Sequence, residues 1–192
     1  MKIGVLAIQG DVIEHRAALR RIGVDEVEVR LPKDLDGVDG LILPGGESTT
    51  IGKLMVRSGL DRVIPERVGL GMGLYGTCAG MILMARDVQD GRADQEPLKL
   101  MDMTVRRNAY GRQIDSFEAE VESAAIGGAG PAVFIRAPQV TERATDVREL
   151  ASHAGQPVAV KQGNRLALAF HPELTPDRRW HQYFLSFDGE SR

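Results

Sequence analysis

Leu70-Gly71-Met72-Gly73-Leu74-Tyr75-Gly76-Thr77-Cys78-Ala79-Gly80-Met81-Ile82-Leu83-Met84 is the stretch that decides the fold. Leu70 to Tyr75 reads as a buried strand and Ala79 to Met84 as a short apolar helix, with the chain's single cysteine at the turn between them. Gly76 and Gly80 flank Cys78 two residues to either side, a spacing that lets the backbone pass sharply from strand to helix where side chains would crowd. The thiol then stands at a helix N-terminus, whose positive dipole end favours a nucleophilic thiolate. With 22 glycines in 192 residues, chance alone gives this flanking roughly 1% of the time. A free cysteine is most often a buried small hydrophobe, so the elbow is suggestive only until partners are found.

Working outward, strand and helix alternate. Lys2 to Ala7 reads as a strand, Val12 to Ile22 as a helix stopped by Gly23, Val24 to Arg30 and Val38 to Leu43 as further strands. After Pro44-Gly45-Gly46, Ser48 is placed to cap a helix over Thr49 to Arg57. Alternation of this kind predicts a parallel sheet covered by helices on both faces, with ligands at the carboxyl ends of the strands. Beyond Gly91 the pattern turns to strand-like pieces: Met101 to Arg106, Ser116 to Val121, Ala132 to Arg136, Val158 to Gln162 and Arg165 to Phe170. Gly163-Asn164 signals a hairpin, Gly127-Gly128-Ala129-Gly130 a flexible loop, and Pro176 to Phe187 a final helix. The expected fold is α/β, one domain over residues 1–192, with a mostly parallel central sheet and antiparallel hairpin additions in the C-terminal half.

Composition narrows the function. Hydrophobic content of 43%, charged content of 27% and a net charge of −3 are ordinary for a globular protein and give no electrostatic reason to expect nucleic acid. One cysteine makes no internal disulfide and no thiolate metal cluster, so a cytoplasmic protein with neither metal nor cofactor is expected. The apolar run Ile3 to Ile8 is short and is followed by Gln9-Gly10-Asp11, which argues against a signal peptide. Val68 to Ala85 is uncharged over 18 residues, but its five glycines suit a strand and turn better than a membrane helix.

A cysteine nucleophile needs a base, a group to orient the base, and donors for the oxyanion. Phe170-His171-Pro172-Glu173 supplies the first two if the segment is extended, since residues two apart then project to one side. His15, His153 and His181 lack this context and read as surface or structural residues. Oxyanion donors can come from the N–H of Ala79 and from the Gly45-Gly46 loop, with Gly46 foremost. Arg107, beside Arg106, reads by spacing as part of a solvated basic face.

These pieces together resemble the class I glutamine amidotransferases, and among them the glutaminase subunits of two-component pyridoxal 5′-phosphate synthases. The resemblance runs from Gly4-Val5-Leu6-Ala7-Ile8-Gln9-Gly10-Asp11 through Leu43-Pro44-Gly45-Gly46-Glu47-Ser48-Thr49-Thr50-Ile51-Gly52 and the Cys78 elbow. It continues in Arg107-Asn108-Ala109-Tyr110-Gly111-Arg112-Gln113, Asp115-Ser116-Phe117-Glu118, Phe134-Ile135-Arg136-Ala137-Pro138 and Phe170-His171-Pro172-Glu173-Leu174. It implies hydrolysis of L-glutamine through a thioester on Cys78, with His171 as base then acid and Glu173 orienting it. It further implies glutamine held by Gly46, Glu47, Ser48, Arg107, Ile135 and Arg136, and ammonia passed to a (β/α)₈-barrel synthase subunit in a hetero-oligomer. Gln9 is implied to lie toward the active site and the synthase contact. Met72, Met81, Met84, Met101 and Met103 read as core gap-fillers rather than an ammonia path, and Asp87 to Pro97 as a variable insertion. Two other readings stay open: a reactive-cysteine protein of similar fold without glutaminase activity, and a glutaminase serving another synthase.

Overall fold

A computed structural model describes residues 1–91, 97–107 and 116–189. Residues 92–96 of the insertion at 87–97, and residues 108–115, therefore fall outside the described residues. The N-terminal half alternates as expected: β1 (Lys2–Leu6), α1 (Val12–Arg21), β2 (Asp25–Val29), β3 (Gly40–Leu43), α2 (Ser48–Ser58), α3 (Leu60–Gly69), β4 (Gly73–Thr77) and α4 (Ala79–Met84). There follow β5 (Ala85–Gln89), β6 (Met101–Arg106), β7 (Ser116–Ser123), β8 (Gly128–Ile135), β9 (Gln139–Arg143), β10 (Arg148–His153), β11 (Gln156–Gln162), β12 (Arg165–Leu168) and α5 (Arg179–Leu185).

The central sheet has seven strands in the order β10-β11-β12-β4-β3-β1-β2. β12, β4, β3, β1 and β2 are mutually parallel, while β10 and β11 add an antiparallel edge through the Gly163-Asn164 hairpin. A three-stranded sheet (β5-β6-β9) and the β7–β8 ribbon stand apart from it. Helices lie on both faces. Tyr75 projects onto the side of α1 and α5, against His15, His181 and Phe184. Gly76, the next residue, opens the other way onto α4, where a β-carbon would lie 2.6 Å from Met84 Sδ. The five methionines are all buried in the core, as expected of gap-fillers.

Several boundaries move for identifiable reasons. The strand expected from Leu70 starts at Gly73, because α3, which the sequence pattern hid behind Pro65, runs on to Gly69 and leaves Leu70 84% exposed. Asn164 fixes that junction by donating from Nδ2 to the carbonyls of Val68 (3.2 Å) and Met72 (2.8 Å). Glu47, not Ser48, caps α2, its carboxylate accepting from the N–H groups of Thr49 and Thr50. Gly128 to Gly130, expected as loop, are the first residues of β8, paired with β7. The last helix begins at Arg179 rather than Pro176. β5, β9 and β10 are short, half-exposed strands without a clean alternation and were not predicted.

Candidate active site

Four adjacent parallel strands end on one crevice. β1 leads into Gln9-Gly10-Asp11, β3 into Pro44-Gly45-Gly46, β4 into Cys78, and β12, through Ala169 and Phe170, into His171. In a parallel sheet these are the carboxyl ends, where such folds gather ligands. Cys78 N donates to Leu168 O at 2.8 Å and so ties the elbow to the neighbouring strand end.

Cys78 has φ 48° and ψ −101°, a conformation that a side chain adopts only under constraint. The two glycines supply the constraint. A β-carbon on Gly80 would lie 2.2 Å from Leu43 O, and one on Gly76 2.6 Å from Gly80 C, so α4 packs on β3 and β4 at backbone distance. The thiol donates to Ile135 O at 3.7 Å, which places Ile135 beside Cys78. Arg136 follows with φ 44°, a second non-glycine residue in the left-handed region at this crevice.

His171 and Glu173 meet, though not through an extended segment. Pro172–Leu174 form a 3-10 turn that folds Glu173 back under the ring, giving His171 Nδ1 to Glu173 Oε1 at 2.8 Å. Asp11 Oδ2 approaches the same nitrogen at 3.2 Å. Burial alone would lower the basicity of His171, but Asp11, Cys78 and Glu173 outweigh it and hold the imidazole well above its ordinary range. Complete burial pushes the Glu173 carboxyl up, more than the His171 charge pulls it down. The proton belongs on Nδ1, which faces two carboxylates. Asp11, His171 and Glu173 offer ligand atoms within 4.8 Å of one another, as a metal would require, but a protonated Nδ1 has no lone pair to give one.

The Gly45-Gly46 loop, expected to supply oxyanion donors, is held from both sides. Gly45 N donates to Thr77 Oγ1 (3.1 Å), Asp11 N donates to Gly45 O (3.0 Å), and Glu47 N donates to Gln9 Oε1 (2.9 Å). Gly45 lies so close to the ring that a β-carbon would sit 2.4 Å from His171 Cε1. Ala79, the other expected donor, is the first residue of α4.

Arg107 is brought to the site rather than left on a basic face. Its side chain is 14% exposed, with Nη2 3.0 Å from Glu47 Oε1 and Nη1 3.1 Å from Thr49 Oγ1. Burial alone would raise the Glu47 carboxyl, but donors from Thr50 and Thr49 and the Arg107 charge hold its pKa at about 2. Ser48 is buried beside them in the first turn of α2. The crevice thus carries a strained thiol, a charged imidazole and, across α2, paired acidic and basic groups suited to an amino-acid zwitterion. Asp11 and Thr77 were missed as site residues. The signal was present, since Asp11 ends the motif after β1 and Thr77 adjoins the nucleophile.

The model of the SNO glutamine amidotransferase family matches residues 5–187. The chain is 54% identical over 187 residues to the pyridoxal 5′-phosphate synthase subunit PdxT of Roseiflexus castenholzii, covering 96% of this chain and 99% of that one. To the protein of the same name from Thermotoga maritima it is 51% identical over 186 residues, with 96% and 98% covered. A crystal structure of a glutamine amidotransferase superposes with a TM-score of 0.93 at 46% identity, over 97% of this chain and 98% of that one. A chain in the structure of PurLQS from Thermotoga maritima, at 16% identity and a TM-score of 0.69 over 97% of both, shares the fold.

Proposed function

Because the chain belongs to the SNO glutamine amidotransferase family, we propose that it hydrolyses L-glutamine to L-glutamate and ammonia as the glutaminase subunit of a pyridoxal 5′-phosphate synthase, with Cys78, His171 and Glu173 as its catalytic residues. Near-full-length likeness to PdxT proteins supports the role within a synthase. The catalytic assignment rests on one observation above all: the 2.8 Å contact of His171 Nδ1 with Glu173, at the same strand-end crevice as the strained Cys78.

In this reading the Cys78 sulfur attacks the side-chain amide carbon of glutamine while His171 holds the thiol's proton. The tetrahedral oxyanion is received by the N–H groups of Gly46 and Ala79. Its collapse breaks the C–N bond, His171 passes its proton to the leaving nitrogen, and ammonia departs from a γ-glutamyl thioester. Water then attacks the thioester, gives a proton to His171 and releases glutamate, and the sulfur regains its proton. Glu173 and Asp11 keep the Nδ1 proton in place, so that Nε2 is left for these transfers. Arg107 and Glu47 receive the α-carboxylate and α-ammonium groups, with Ser48, Ile135 and Arg136 completing the pocket. The ammonia passes to a (β/α)₈-barrel synthase subunit in a cytoplasmic hetero-oligomer, the whole of residues 1–192 forming one glutaminase domain. Among the described residues no helix is long and apolar enough to cross a membrane.

Glutamate release from glutamine, followed with and without the synthase subunit, tests both parts. Release that rises on mixing and disappears in Cys78→Ala is expected. Full activity in Cys78→Ala would overturn the chemistry, and no rise on mixing would overturn the role within a synthase.

A further inference from the structure

Behind the triad lies a second buried polar group that the reaction just described does not use. His15 on α1 and His181 on α5 are both 0% exposed, with His15 Nδ1 3.1 Å from His181 Nε2. On its other side His15 Nε2 is 3.0 Å from Thr77 Oγ1 and 3.5 Å from Glu173 Oε1. Thr77 Oγ1 also accepts the N–H of Gly45, so one imidazole stands between the triad carboxylate and the oxyanion loop.

The hydrogen-bond inventory selects the tautomers. Burial first, then the repulsion that a second charge would meet from His181, His171 and Arg178, keeps His15 neutral, and burial does the same for His181. Two neutral rings joined N to N share one proton. If His15 Nδ1 carried it, His181 Nδ1, which has no partner among the described residues, would be a buried orphan N–H. A lone pair on His15 Nε2 would then also face the Glu173 carboxylate. If His181 Nε2 carries it, His181 keeps only an unpaired acceptor, and His15 presents Nε2–H to Glu173 and Thr77.

We propose that His15 is a positioning residue of the glutaminase site: as the Nε2–H tautomer fixed by His181, it holds the Glu173 carboxylate and the Thr77 hydroxyl that carries Gly45 in one buried network. The inference rests on the triad assignment. Glu173 is completely buried, and from behind His15 Nε2 approaches Oε1, the oxygen that His171 also holds, while Oε2 has no hydrogen-bond partner among the described residues. The titratable or charged groups facing it are His171 and Asp11 on the reaction side, and His15, Tyr75 and Arg178 behind. Tyr75 Oη makes no hydrogen bond among the described residues, Arg178 Nη1 is committed to the carbonyls of Thr175 and Asp177 while its Nε has no partner there, and His15 Nε2 lies 3.5 Å from the carboxylate.

The test measures kcat and KM for glutamine against pH in the assembled complex, for the wild type, His15→Leu, His15→Gln and His15→Asn. Loss of the Nε2 donor leaves Glu173 easier to protonate, so His15→Leu is expected to lose about tenfold or more in kcat with KM little changed. Its acid limb should move up by about one pH unit. His15→Gln, whose amide N–H reaches the Nε2 position, restores the profile, and His15→Asn, which reaches only the Nδ1 position, does not. A folded His15→Leu with the wild-type profile overturns the inference. Should that variant not fold, equal profiles for the Gln and Asn variants overturn it. Nitrogen chemical shifts of the wild-type histidines add a readout free of mutation: a proton on His15 Nδ1 also refutes it. Failure of the triad itself shows differently, as an unaltered wild-type rate in Cys78→Ala.

Discussion

Replacing Gly80 by alanine tests the elbow at its tightest point. The added β-carbon would stand 2.2 Å from Leu43 O and 3.0 Å from Leu43 Cβ, so α4 and the end of β3 must separate by more than an ångström to reach ordinary contact. The obstacle is backbone, which puts the cost at the upper end of the overpacking range of about 1–3 kcal/mol. Alanine's helix preference returns at most about 1 kcal/mol. A net loss of about 2 kcal/mol lowers Tm by about 4–8 °C in a domain of this size. Activity suffers more than stability. If α4 retreats, Cys78 and Ala79 move, and if Leu43 retreats, it drags Pro44-Gly45-Gly46, so either way Gly46 and Ala79, the proposed oxyanion donors, part. A displacement near 1 Å at a reacting centre costs about 10²-fold in rate. Differential scanning calorimetry and glutamate release from the complex measure the two effects. Gly69→Ala is the control, because a β-carbon there meets nothing within 4 Å. Gly80→Ala matching Gly69→Ala in both Tm and turnover would refute the close-packed elbow.

Three further outcomes follow from the same geometry. Glu47→Ala removes the α2 cap and the partner of Arg107, and should cost about 1 kcal/mol by urea denaturation while raising KM for glutamine more than it lowers kcat. Asp11→Asn removes one of the two carboxylates at His171 Nδ1. The raised imidazole stabilises the fold in full below its ordinary 6.5 and loses that contribution as pH rises toward its folded value, so the variant should be less stable at low pH, and its alkaline loss of Tm should be smaller and end at lower pH than the wild type's. His15 and His181 run the other way. Their folded values lie below the ordinary 6.5, that of His181 at about 3, so their contribution is intact above that ordinary value and fades as pH falls below it. Each adds a slope of up to about 1.4 kcal/mol per pH unit, partly offset by the raised Glu173. Unfolding free energies between about pH 4.5 and 6.5 should therefore depend less steeply on pH in His181→Gln.

The N-terminal half was legible because its signals are local. Lys2 to Leu6 and Gly40 to Leu43 are apolar throughout but for the first lysine, as strands buried on both faces must be, and the intervening helix is closed by a glycine. α3 was hidden because Pro65 reads as a breaker, yet it sits in a helix whose Leu60, Ile64 and Val68 are buried on one face by tertiary packing. β9 and β10 carry charged residues along half-exposed strands, and what selects them is pairing with β6 and β11, a long-range fact that local periodicity does not carry.

The site was legible to the same depth. Cys78, Gly46 and the His171-Glu173 pair each sit at a strand end marked by glycine or proline, and the parallel order β12-β4-β3-β1 then brings those ends side by side. Arg107 was not, because its neighbour Arg106 is exposed and nothing in the spacing says that a turn after β6 swings the next guanidinium onto the first turn of α2. His15 was harder still. A histidine amid the arginines and glutamate of an amphipathic helix carries no mark of burial, and its meaning depends on α5, 166 residues later, closing over Tyr75 from the same face of the sheet. Neutral imidazoles can occupy that interior only as a pair, since each alone would leave a buried nitrogen facing Glu173 or facing nothing. The sequence therefore has to supply two histidines on two distant helices, and only the fold reveals that they form a single unit.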